Sequence, residues 1–134
     1  MASIGIRVLI EKTLKALLEP IIELPVLAGA TGGDLPWEYV LIEAQKPEHL
    51  AAGTFRIPVT VQVMGTADKT EGFDRANANF KILVDYLADP ACPLRLLSND
   101  DLIVSGYFIE GTDEIRGTRT YGEQLNIAII ACEA

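Results

Sequence analysis

Residues 53–65 read GTFRIPVTVQVMG. Phe55, Ile57, Val59, Val61 and Val63 recur at every second position, with Thr54, Arg56, Thr60 and Gln62 between them. A period of two with β-branched residues on one side predicts a strand that lays one face on a core. Pro58 has no amide proton to give to a ladder, so this strand is expected at a sheet edge for at least that stretch. Gly65 ends it.

Downstream of this strand the period changes. Phe73, Ala76, Phe80, Leu83 and Leu87 are spaced by three and four, which predicts a helix from about Glu71 to Ala88 with one apolar stripe. Asp89-Pro90 ends it, because the residue before proline resists the helical region. Further strands are expected over Asp101–Glu110 and Thr120–Ala131. In the last of these Tyr121, Leu125, Ile127 and Ile129 share a face, and the apolar end at Ala128 and Ile130 suits a central strand or one covered by a partner. Between them, GTDEIRGTRT (Gly111–Thr120) is polar and glycine-containing and predicts the wide tip of a long hairpin.

Upstream, the segment Ile21–Pro36 ends in ATGGDLP and reads as a surface loop leading into a strand over Trp37–Ala44. Before it, Ile6, Ile10, Leu14, Leu17 and Leu18 mark the inner face of a helix from Ser3 to about Glu19, stopped by Pro20. Arg7, Glu11, Lys15 and Glu19 follow each other at i,i+4 on its other face. Ile4, Ile6, Val8 and Ile10 also alternate with period two, as an opening strand would, but the helix formers from Glu11 to Glu19 favour the helix. The sum is one α+β domain over residues 1–134: a largely antiparallel four-stranded sheet packed against two amphipathic helices, with an extended hairpin.

The chain has 134 residues, 49% of them hydrophobic, enough to bury a core without disulfide or metal. Eleven Lys and Arg against nineteen Asp and Glu leave a net charge of −8, which argues against wrapping bare nucleic acid and against sequence-specific nucleic-acid binding. No stretch has the apolar length of a membrane span, and no secretory leader is evident, so a soluble cytoplasmic protein is expected. The two cysteines, Cys92 and Cys132, sit in no CxxC pair and are expected to be free thiols. No clustered ligand set points to a metal or an organic cofactor.

Catalysis finds little support in the residues. GATGGD (29–34) lacks the lysine and following Ser/Thr of a phosphate loop. The lone His49 sits in a polar bend, no serine lies in a nucleophile elbow, and Asp100-Asp101 and Asp113-Glu114 show no sign of the unlike environments that acid–base pairs need. The charged hairpin remains, with Asp113, Glu114, Arg116 and Arg119, together with Trp37 at the head of its strand. The four charges suit either a solvated loop or a contact with a neighbouring subunit; Trp37 suits either a core or an interface anchor.

The element order resembles a family. A leading helix, WEYVLIEA (37–44), FRIPVTVQVMG (55–65), KILVDYLADP (81–90), DLIVSGYFIEG (101–111) and TYGEQLNIAIIACE (120–133) follow one another as in the small tail-terminator and neck proteins of tailed bacteriophages and prophages, Leu87-Ala88-Asp89 and Tyr121 being the nearest matches. The resemblance implies a non-enzymatic α/β subunit of a homo-oligomeric ring, a hexamer by preference. Such a ring caps the tail tube and joins it to the head connector. Partners would be tail-tube and head-connector proteins, with no membrane. The protein would be made in the host cytoplasm and end in the tail or neck of the virion. Arg116 and Arg119 would face carboxylates of the next subunit. A minor tail or head-closure protein fits the same layout, and a small α/β ligand-binding or enzyme domain is the alternative from another class.

Overall fold

The computed structural model describes residues 3–29, 38–51, 53–66, 70–92, 102–116 and 120–133. The elements run α1 (Ser3–Leu18), β1 (Val26–Ala28), β2 (Tyr39–Ala44), β3 (Glu48–Ala51), β4 (Thr54–Thr66), α2 (Thr70–Ala88), β5 (Leu102–Arg116) and β6 (Thr120–Glu133). The strands form one six-stranded sheet in the order β1-β2-β4-β6-β5, with β3 also on β4. All pairs are antiparallel except β1 with β2.

The sheet is therefore mixed and has two strands more than the four expected. β1 is the three residues VLA inside a stretch that reads as loop, too short for any period to show. All four residues of β3 are exposed, so EHLA carries no alternation between faces.

β4 is also not an edge. It lies against β6 on one side along its whole length, from Thr54↔Cys132 to Thr66↔Thr120. On its other side it pairs first with β3 and then with β2. Pro58 sits where that second side changes partner, between Arg56, opposite Glu48, and Val59, opposite Ala44. Its carbonyl accepts a hydrogen bond from Gln45 N at 2.7 Å, so its missing amide proton falls at the gap between two strands. At Pro58 the expected edge is thus a gap between two partner strands, within a strand that is otherwise interior.

Both helices cover one face. Ile57, Val59, Val61 and Val63 of β4, Val40, Ile42 and Ala44 of β2, and Leu125, Ile127, Ile129 and Ala131 of β6 are all buried on that side. α1 contributes Ile6, Ile10, Leu14 and Leu18, with Leu17 half-buried against the same core. α2 contributes Ala76, Phe80, Leu83 and Leu87. The Phe73 side chain lies outside the described ones. β6 is central, between β4 and β5, as its apolar end suggested.

Five hydrogen bonds, in three places, seal this layer. The Tyr107 hydroxyl donates to the Leu87 carbonyl, satisfying one of the acceptors that a helix C-terminus leaves open. Asn79, the one buried polar side chain among the described residues, donates to the Arg75 carbonyl at 2.9 Å and accepts from Glu23 N at 3.4 Å. At the outer side of β2, β1 stops short of Ala44 and α1 takes over. Glu11 Oε2 accepts from Ala44 N at 3.0 Å, and Arg7 Nε donates to Ala44 O at 2.9 Å. Two side chains thus stand in for a strand, and they are not simply the solvated charges their helical spacing suggests. Gly29 follows β1 with φ 67°, and a Cβ there would stand 2.8 Å from Glu11 Oε1. Glycine adopts this left-handed backbone without steric cost and leaves room for the Glu11 carboxylate.

Glu11→Ala is accordingly expected to lower stability by about 1–2 kcal/mol, the cost of leaving a part-buried amide without its acceptor. Urea unfolding measures it. Glu11→Gln should recover most of the loss, and exchange of the Ala44 amide should quicken in the alanine variant alone.

Candidate interaction surface

The face of the sheet away from α1 and α2 is built from the alternate residues. On it stand Leu27 of β1, Leu41 and Glu43 of β2, Arg56, Thr60 and Gln62 of β4, Asn126, Gln124 and Ile130 of β6, and Phe108 and Asp113 of β5, as the registers place them. Gln62 and Gln124 face each other across β4 and β6, and a chain of hydrogen bonds starts there. Gln62 Nε2 donates to Gln124 Oε1 at 2.9 Å, Gln124 Nε2 to Asn126 Oδ1 at 2.8 Å, and Asn126 Nδ2 to Asp113 Oδ2 at 2.8 Å. The chain ends on a carboxylate, which accepts only, so it has one direction.

A second cluster lies nearer the β3 end. Arg56 donates to Glu48 Oε2 at 3.2 Å and also to Glu110, so one guanidinium ties β3 and β4 to β5 across β6. Glu110 can reach it because β5 bulges between Ile109 and Gly111. These carboxylates hold the guanidinium in its charged form, the hydrogen bond it donates to Glu110 contributing most.

The predicted wide tip at Gly111–Thr120 is mostly strand. Gly111–Arg116 belongs to β5 and pairs with Asn126–Tyr121, and Thr120 begins β6. β4 runs beside β6 to the same end, Thr66 opposite Thr120, so the hairpin is long but backed by the sheet. Asp113, Glu114 and Arg116 are all exposed there. Arg116 Nε donates to its own neighbour Glu114, and Glu114 lies directly opposite Glu123 of β6. Like charges in register repel, and Arg116 offsets that. Trp37 and Arg119 lie outside the described residues.

Tyr121 sits beneath this end. Its hydroxyl has Asn77 Oδ1 of α2 at 3.3 Å and Glu123 Oε1 at 3.2 Å. Burial above all, then the Glu123 charge, raises its phenol above the ordinary 10.0. Burial likewise raises Tyr39 and Tyr86. A folded state that holds these protons more tightly than the unfolded chain is stabilised fully below about pH 10 and loses that share as pH rises through the folded values. The expected result is a thermal midpoint that falls above about pH 10, and falls less steeply in Tyr121→Phe.

The residues weighed for catalysis do not converge. The His49 ring meets Phe55 edge-on at 5.3 Å between centroids. Cys92 is buried, and Cys132, on β6, has Ser105 Oγ 3.4 Å from its sulfur. Among the described residues no three His, Cys, Asp or Glu side chains gather to hold a metal, and no helix is long and apolar enough to cross a membrane. Alternation turns Arg56, Gln62, Gln124 and Asn126 away from the core, but it does not mark them, or Phe108, as residues of one connected surface. Only the β4–β6 register makes Gln62 and Gln124 partners.

The fold and this surface define a class: a two-layer α+β module with α1 and α2 on one side of the sheet and, among the described residues, no helix on the other. In solved structures this chain is similar to one from the "Virion of native gene transfer agent (GTA) particle", with a TM-score of 0.62 and 17% identity over 99% of this chain and 98% of that one. At that identity the likeness concerns the fold. No family model matches the sequence, and no curated protein matches it.

Proposed function

We propose that this chain is a non-enzymatic structural protein of a phage-like virion, acting at the end of the tail tube. Identical subunits form a ring, six by the family resemblance, that caps the tube and offers its other side to the head connector. The observation that carries this reading is the end-to-end correspondence of fold with a chain from a virion, 99% against 98% in coverage. The long strands of the β5–β6 hairpin, their exposed charges and the sheet face away from α1 and α2 supply surface for neighbours. Asp113, Glu114 and Arg116 are the proposed contact residues on the described part of the hairpin, and Arg119 and Trp37 are proposed as contact residues as well. The protein is made in the host cytoplasm and ends in the tail or neck of the particle.

The test is assembly of tail tubes with and without this protein, viewed by negative-stain microscopy. Tubes of uniform length bearing an end ring are expected with it, and tubes of indefinite length without it. Tubes that end uniformly in its absence would overturn the capping role. A virion component other than the tube that retains it would move the assignment to head closure.

A further inference from the structure

The two edges of the sheet differ in charge. At the β1 end α1 turns outward Arg7, Lys12 and Ala16, all exposed, with Lys15 half-buried and Val8 42% exposed. Glu11 on the same helix is taken up by the Ala44 amide, which leaves Glu19 as the acidic residue of that surface. Lys12 and Lys15 have no carboxylate within ion-pair distance among the described residues. At the opposite end, β5 carries Glu110, Asp113 and Glu114; among the described residues Arg56 meets Glu110, Arg116 meets Glu114, and Asp113 accepts only from the neutral Asn126, so the acids of this strand outnumber its one Arg. The same strand holds Ile103, Phe108 and Ile109, three of the six large apolar side chains that stand exposed among the described residues.

These surfaces cannot serve each other within one chain. β1 and β5 are four strand steps apart, about 19 Å at the usual spacing. That is roughly twice the screening length at physiological salt. Two bulges, between Val104 and Gly106 and between Ile109 and Gly111, break the backbone edge of β5, so it is a poor template for another long strand. What β5 offers is an edge whose two sides are both open to a neighbour, Ile103, Phe108 and Asp113 on the face away from the helices and Ile109 and Glu114 on the other, apolar in the middle and acidic toward the hairpin end. What α1 offers is a helix face with an apolar residue among basic ones.

We infer that the β5 edge of one copy docks on the outer face of α1 of the next, with Lys12 and Lys15 against Asp113 and Glu114. The contact joins unlike patches, so it is head-to-tail and closes into a ring when the rotation allows. This deepens the ring reading above and rests on it; it names the surfaces through which the subunits meet.

The test uses the full chain, in solution and on tail-tube ends, with a zero-length carbodiimide that joins an amine to a carboxylate in contact. Lys12 or Lys15 is expected to link to Asp113 or Glu114, between isotopically light and heavy copies. Two double variants, Lys12→Glu with Lys15→Glu and Asp113→Lys with Glu114→Lys, keep the far-ultraviolet dichroism of the parent. Each alone should associate at least about tenfold more weakly, since like charges then meet at every contact. Mixed in equal amounts they should recover association to within about threefold, because unlike variants alternate around an even ring. Recovery on mixing cannot come from misfolded subunits. Rings that form as in the parent with either variant alone, or a mixture that does not recover, would overturn the assignment of surfaces and leave the ring reading standing. A parent chain that neither closes rings nor caps tubes would overturn both.

Discussion

Phe80→Ala lowers the unfolding free energy by about 3–5 kcal/mol and the thermal midpoint by on the order of 10 °C. Phe80 is 9% exposed, midway along α2, one turn from Ala76 and from Leu83, which are buried in the same core. Removing its ring leaves a cavity between helix and sheet, because the strands beneath are fixed by β6 and cannot settle into the space. Since an ordinary domain has a total stability of about 5–15 kcal/mol, the variant should remain folded at low temperature. Urea unfolding with an unchanged slope would confirm that stability and not compactness has moved. A loss below about 1 kcal/mol would mean that α2 does not press on the sheet as described.

Gly122→Ala is expected to cost about 1–3 kcal/mol although it adds one carbon. Gly122 is opposite Met64 in the β4–β6 ladder, and the Met64 thioether lies over it. A Cβ at that position would collide with the Met64 sulfur and stand 2.8 Å from the Val63 carbonyl oxygen. The methionine can swing aside, but the carbonyl belongs to the sheet backbone and cannot. Met64→Ala in the same chain should therefore relieve part of the loss and not all of it, a non-additivity that a double-mutant cycle reads directly. Equal stability of Gly122→Ala and the parent would refute the close approach.

The interior was legible because burial imposes a local period. Val59, Val61, Leu83, Phe80 and Ile127 were expected in the core, and each is buried. Leu17 was expected there and is only half-buried, because Leu14 and Leu18 fill the centre of the α1 contact. The elements that were missed lack any period: β1 is three residues long and β3 is exposed throughout. The hairpin was misjudged for a related reason. Residues 111–116 contain glycine and charge, the composition of a loop, yet β6 alongside them is held by β4 and gives them a ready partner. Among the surface residues, Asp113, Glu114 and Arg116 could be singled out by their charges. The amides that bond across strands could not.

What the sequence determined alone is the set of helices and long strands, the face each turns inward and the surplus of acid. Those properties depend on residues within a few positions of one another, where spacing of 2 or 3.6 decides which side chains share a face. Only the tertiary structure decided that β4 is interior, that Pro58 falls at a change of partner, that Arg7 and Glu11 close the ladder at Ala44, and that a basic helix and an acidic strand stand at opposite edges. These follow from contacts 37 residues apart at Arg7 and Ala44, and 62 apart at Gln62 and Gln124. Such pairings are chosen by the joint burial of the whole sheet face, a global quantity that no local spacing records.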